Sequence, residues 1–197
     1  MSEKDRLHNQ ANRASRFEVI FGATYPRVLA YALRRTEDRD SAEEVTSETF
    51  LVAWRRLDAV PDEPLPWLLG TARRVLANQR RSTRRRWPEG PHASLDLVDV
   101  PDLGSPQLER LAEREAFISA FAKLRERDRE VLSLIAWEGL GVREAARVMG
   151  CTAAAFSIRL HRARQRLLKE LQGSGHSLGE MGKRSPLDKR PDISEAP

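Results

Sequence analysis

Apolar residues recur at three- and four-residue intervals through most of this chain, and the breaks between the runs mark its elements. Phe17, Ile20 and Phe21, followed beyond Pro26 by Val28, Leu29 and Ala32, predict a helical pair or one helix kinked at the proline. Ser41-Ala42-Glu43-Glu44 has the serine and the third-following glutamate of a capping box, so a helix is expected to start at Ser41 and to turn Phe50, Trp54 and Leu57 inward. Leu57 to Pro66, LDAVPDEPLP, holds three prolines and predicts a loop. The helical pattern resumes at Trp67, with Leu68, Ala72, Val75 and Leu76 on one side, and runs to about Arg86. Composition then shifts to Pro, Gly, Ser and Asp until Ser105-Pro106, which reads as an N-cap followed by proline at the first helical position. Leu108, Leu111, Phe117, Phe121 and Leu124 form one further stripe, and Val131, Leu134 and Ile135 another.

The stretch Gly139 to Leu167 carries the most specific pattern. Val142, Ala145, Ala146 and Met149 fall at i, i+3, i+4 and i+7, the apolar face of a short helix. Gly150 suits the left-handed stop of that helix, and Thr152 supplies a hydroxyl to cap the next one. Along the second helix Phe156, Leu160, Ala163 and Leu167 face inward, while Ser157, Ile158, His161, Arg162 and Gln165 face away. Two short helices across a tight turn, the second with a polar and basic outer face, predict a helix-turn-helix whose second helix enters a DNA major groove.

These elements predict an all-α fold. Two small helical domains, 15–87 and 106–172, are joined by an acidic flexible linker at 88–105, and the second domain ends in the helix-turn-helix. A polar lead-in at 1–14 and a Gly-, Pro- and Ser-rich tail at 173–197 are expected to be disordered. With 197 residues, each domain lies near the lower end of independently stable size.

Charge sharpens this picture because it is segregated. Against a formal net charge of only +5, Arg73, Arg74, Arg80, Arg81, Arg84, Arg85 and Arg86 follow one another between Trp67 and Arg86 without a carboxylate, which favours phosphate contact. Glu37, Asp38, Asp40, Glu43, Glu44 and Glu48 crowd the start of the preceding helix with Arg39 as the nearby cation, more negative charge than a helix dipole needs. A basic protein surface is the expected partner of that end. The linker has Asp96, Asp99 and Asp102 and no lysine or arginine, so it would avoid DNA.

Together these residues resemble a sigma factor of bacterial RNA polymerase, of the sigma-70 superfamily and its extracytoplasmic-function (ECF) group, which keeps the second and fourth sigma domains. The resemblance covers about Phe17 to Leu171. It rests on Ala42-Glu43-Glu44-Val45 through Glu48-Thr49-Phe50-Leu51-Val52-Ala53-Trp54-Arg55, on Trp67-Leu68 and Ala72-Arg73 before the arginine run, and on Arg127-Asp128-Arg129-Glu130-Val131-Leu132, Glu138-Gly139-Leu140 and Arg159-Leu160-His161-Arg162-Ala163-Arg164.

The resemblance implies a promoter-specificity subunit. Glu43, Glu44, Ser47, Glu48 and Phe50 would dock on core RNA polymerase. The loop Leu57 to Pro66 and the following helix would take the minus-ten element as an unpaired non-template strand with one base flipped out, using Asp58, Arg73, Arg74, Asn78, Arg80, Arg81 and Arg84. Arg143, Thr152, Ala154, Ser157, Ile158, His161 and Arg162 would read the minus-thirty-five duplex, and the linker would thread polymerase channels. An anti-sigma protein is a further partner that the family often uses. The chain departs from the family pattern at Ala154 and Ala155 (usually Gly and Thr), Ser157 (commonly Lys or Arg), Arg74 (often Asn) and Arg125 (often Pro). Fewer donors at the groove-entering end predict weak minus-thirty-five specificity or reliance on thymine methyls.

Two other functions fit the chain less well. A polymerase-independent helix-turn-helix regulator with an N-terminal sensor or dimerisation domain fits less well, because the arginines of 67–86 would be wasted on a sensor. Catalysis has little support: His8, His92, His161 and His176 are scattered, Cys151 is alone, and there is no glycine-rich phosphate loop. Neither a cofactor nor a metal is expected. With no apolar run near the roughly 20 residues of a membrane span and no signal-peptide core, a cytoplasmic location is expected.

Overall fold

The computed structural model describes the backbone of residues 3–86 and 107–173, with side chains over 10–81 and 114–173. Seven α-helices and one short 3-10 turn make up these residues: α1 (Glu3–Leu33), α2 (Arg39–Arg55), the turn Leu57–Ala59, α3 (Pro64–Arg86), α4 (Gln107–Lys123), α5 (Glu126–Ala136), α6 (Val142–Met149) and α7 (Ala153–Gly173). Helices α1 to α3 pack on one another as the first unit, and α4 to α7 gather around α7 as the second. The acidic linker and the tail lie outside the described residues.

Helix α1 is one continuous element through Pro26, and it begins far earlier than its apolar stripe. The expectation of a disordered lead-in over 1–14 is therefore corrected for residues 3–14. Helix propagation adds a hydrogen bond for each residue fixed, and this extension is further held by Arg13, which pairs with Asp58 forty-five positions later. No local pattern announces a partner at that distance.

The start of α2 also differs from expectation. Asp38, not Ser41, is the N-cap: its carboxylate accepts the Ser41 backbone N–H at 2.7 Å and the Ser41 hydroxyl at 2.8 Å. Farther along, Thr46 and Thr49 are fully buried and satisfy their hydroxyls by donating to Ala42 O and Val45 O, both at 2.7 Å. The core of the first unit contains Val28, Tyr31, Val45, Leu57, Leu68 and Leu69, all essentially without exposure. Each such side chain contributes about 1.5–3 kcal/mol relative to exposure.

In the second unit the turn chemistry follows the sequence closely. Gly150 closes α6 in the left-handed conformation, φ 62° and ψ 42°, and Ala155 N–H donates to the Thr152 hydroxyl oxygen at 3.2 Å as α7 begins. Glu144 accepts the Gly141 N–H at 2.7 Å, tying down the first turn of α6. Phe156, Leu160 and Ala163 are buried as expected. Val142 is not: it is exposed, and the buried set of α6 is Ala145, Ala146, Val148 and Met149, because this helix is covered on two sides, by α7 and by α3 of the first unit.

Gly150 has open space where a Cβ would stand, so substitution there costs backbone strain alone. Gly150→Ala is expected to destabilise the chain by about 1–2 kcal/mol, the cost of an L-residue in the left-handed region, measurable as a lowered midpoint in thermal or urea unfolding.

Candidate polymerase and nucleic-acid interface

The acidic end of α2 presents Glu44, Ser47 and Glu48 to solvent, while Glu43 is half-buried and pairs with Arg39 at 2.7 Å. Phe50 departs from its expected place among docking residues. It is 4% exposed and packs against Phe21 and Tyr25 with ring centroids 4.8 and 6.0 Å away, so it holds α2 onto α1. Exposed apolar surface on the same helix comes instead from Leu51 and Trp54, with Phe21 of α1 beside them. Trp54, expected in the core, is 37% exposed and meets Phe17 edge-on at 5.2 Å. A partner thus finds carboxylates flanked by apolar side chains, the mix of a protein-binding surface.

The next expected surface is split by the fold. Arg74, Asn78 and Arg81 are exposed on α3, with Arg81 donating to Asn78 Oδ1 at 2.5 Å, and Arg73 is half-buried. Arg80 is engaged by both units: it pairs with Glu126 of α5 and donates to Arg35 O, just past α1, at 3.1 Å. Burial, and then the like charges of Arg35 and Arg129 against the attraction of Glu130, lower the Arg80 pKa. Asp58 extends from the 3-10 turn with its carboxylate on Arg13. The Arg84 side chain lies outside the described residues.

The helix-turn-helix keeps its outer face open. Arg143, Thr152, Ala154, Ser157, Ile158, His161 and Arg162 are all exposed, Ile158 by 54%. Along α7 the last five fall at i, i+3, i+4, i+7 and i+8, one continuous face opposite Phe156, Leu160 and Ala163. Asp128 of α5, itself buried, accepts from Arg166 Nη1 at 2.6 and 2.8 Å and so pins the second half of α7.

Between the two units runs a network that the sequence did not suggest. Glu130 accepts from the Tyr31 hydroxyl at 2.8 Å and from Arg35 Nε at 2.8 Å. Glu138, only 3% exposed, accepts from Arg34 at 2.7 Å and Arg35 at 3.2 Å. Arg35 also lies over the Tyr31 ring, 3.5 Å from its centroid. Burial opposes the Arg35 charge, but Tyr31, Glu130 and Glu138 outweigh it and raise its pKa; burial, with Glu130 and Glu138, raises that of Tyr31. A cleft of about 600 Å³ opens beside this network, lined in part by Arg73, Arg80 and Arg81.

Comparison with known proteins gives both units a family. The Sigma-70 region 2 family matches residues 20–86, and the Sigma-70 region 4 family matches residues 114–167. The ECF RNA polymerase sigma factor SigL of Mycobacterium tuberculosis is 32% identical over 149 residues, 74% of this chain and 82% of that relative. The chain belongs to the ECF RNA polymerase sigma factors. BldN of Streptomyces coelicolor, of the same group, is 29% identical over 82% of this chain and 62% of its own length. The probable RNA polymerase sigma factor RfaY of Xanthomonas campestris is 31% identical over 83% of this chain, which spans 42% of that longer protein. Among solved structures, the sigma factor RpoE in complex with the anti-sigma factor NepR from Bartonella quintana superposes with a TM-score of 0.61 at 25% identity, covering 79% of this chain and 96% of that one. CnrH in complex with the cytosolic domain of CnrY gives a TM-score of 0.53 at 26% identity over 80% of this chain and 88% of that one.

Residues that the sequence pattern does not single out are exposed Leu51 of α2, Arg13 and Arg16 behind the loop, and the carboxylates Glu126, Glu130 and Glu138. Leu51 lies within the family-like stretch of α2, and only its exposure distinguishes it there. The others depend on contacts between residues far apart in the chain.

Asp38 caps the acidic start of α2, and its two hydrogen bonds from Ser41 hold its pKa below the usual carboxylate value. A carboxyl with a depressed folded pKa contributes stability above its unfolded value, about 3.9, and loses it as pH falls through the folded value. Asp38→Asn is therefore expected to lower the melting temperature near neutrality and to flatten the acid limb below about pH 4, as read from melting curves across pH.

Proposed function

We propose that this sigma factor binds core RNA polymerase through Glu44, Ser47, Glu48 and Leu51 of α2, with Glu43 at the edge of that face. It then places the enzyme on a promoter through two DNA surfaces. The carrying observation is the fully open outer face of α7 backed by buried Phe156, Leu160 and Ala163, which is what duplex reading at the minus-thirty-five element requires. Arg143 and Thr152 flank that face, and Ala154, Ser157, Ile158, His161 and Arg162 form it. Small side chains and Ile158 at its N-terminal end favour contact with thymine methyls, and Arg162 favours phosphate or guanine.

The minus-ten surface consists of the loop after α2, with Asp58, and the α3 row Arg73, Arg74, Asn78, Arg80, Arg81 and Arg84. Guanidiniums along one helix edge neutralise the backbone of an unpaired strand, while the loop supplies the geometry for one extruded base. The function is binding and placement, exercised in the cytoplasm with the polymerase. No described helix is long and apolar enough to cross a membrane. The two similar solved structures are complexes with an anti-sigma factor and with a cytosolic partner domain, which supports an anti-sigma partner for this chain as well. The comparisons favour this reading over a polymerase-independent regulator.

Run-off transcription from genomic promoter fragments tests it directly. Core polymerase is expected to start at discrete sites only with this protein added, and Arg80→Ala with Arg81→Ala is expected to reduce those transcripts about tenfold or more, as for loss of two charge-assisted contacts. Glu44→Lys with Glu48→Lys should abolish binding to core. Absence of added specificity, with tight duplex binding by the protein alone, would overturn the proposal.

A further inference from the structure

The loop that carries Asp58 is held from behind by two arginines of α1. Arg16 Nη1 donates to Leu57 O at 3.2 Å and Arg16 Nη2 to Val60 O at 2.7 Å. Arg13 grips the Asp58 carboxylate at 2.7 and 2.8 Å and reaches Trp54 O at 3.4 Å. The carbonyl of Trp54 belongs to the last turn of α2, where peptide oxygens lack helical partners and the helix dipole favours a cation, and that of Leu57, which also accepts the Val60 N–H, belongs to the turn that follows. Leu57 and Val60 are buried to within 2%, whereas Ala59, Pro61 and Asp62 are exposed. The loop is thus an arch with two buried feet, a clamped back and an exposed crest.

We propose that Arg16, aided by Arg13, is a positioning residue for minus-ten discrimination. It touches no DNA; it fixes the arch so that an extruded base meets a preformed site and the loop is not ordered at the expense of binding free energy. This rests on the proposed base capture by the same loop. It also gives a use to the part of α1 that precedes its apolar stripe, since Arg13 and Arg16 lie one helical turn apart and reach the loop side by side.

The test uses holoenzyme reconstituted with the full chain and forked promoter fragments whose start sites come from the transcription assay. Each position of the unpaired minus-ten strand is made abasic in turn, and binding is followed by fluorescence anisotropy. One position is expected to carry a large penalty with the wild-type chain. Arg16→Ala should shrink that penalty about tenfold, the size of one charge-assisted hydrogen bond, with affinity for core unchanged, and Arg16→Lys should restore part of it. Should Arg16→Ala fold poorly, Arg13→Ala, at a more peripheral position, should show the same effect in smaller measure. An abasic penalty that is equal in wild type and variants would overturn the positioning role while leaving base capture intact. No penalty at any position would overturn base capture and the positioning role together.

Discussion

Leu68 and Leu69 are neighbours in the chain and both are wholly buried, and so, nearly, are Leu65, Thr71 and Ala72. Successive residues of a helix point about 100° apart, so the first half of α3 must be covered on most of its circumference. Helices α1 and α2 cover one part and α6 covers another, across the boundary between the units. At Gly70 the two helices lie directly together, the position of a Cβ there being in ordinary van der Waals contact with Val148. The closed arrangement follows from this burial, and the remaining interactions are arranged around it.

Burying α3 brings charge with it. The helix that carries the arginine row is packed beside a second domain, and the domain answers with Glu126, Glu130 and Glu138. Ion pairs of this kind are costly to desolvate and costly to break one partner at a time. Arg35 Nη2 is buried without a hydrogen-bond partner among the described residues, so the network is not fully satisfied. Such an interface is specific in geometry without being strongly stabilising, and it leaves Arg80 partly exposed beside Arg81 and Asn78.

Exposure differs among these surfaces. The outer face of α7 and the α2 carboxylates Glu44 and Glu48 stay open, while the second unit partly claims the arginine row of α3 through Arg80. Duplex recognition needs only one rigid helix in a groove. Capture of an unpaired base needs a loop of defined shape, and the clamp of Arg13 and Arg16 behind Leu57 and Val60 supplies one from a helix whose first turns show no pattern of their own.

The sequence by itself determined what is local. Gly150 is a left-handed stop because only glycine takes φ near +60° without strain; Thr152 caps α7; the spacing of Phe156, Leu160 and Ala163 decides which face of α7 is inward and so which face can read DNA. The acidic start of α2 and the arginine row of α3 were equally legible, because charge segregation needs no knowledge of contacts. Tertiary structure alone decided the rest. Whether Phe50 packs or docks, whether Trp54 and Val142 are covered, whether residues 3–14 join α1, and whether Arg80 is free all depend on partners tens of residues away. Residue spacing records the period of a helix but not which surface will be laid against it.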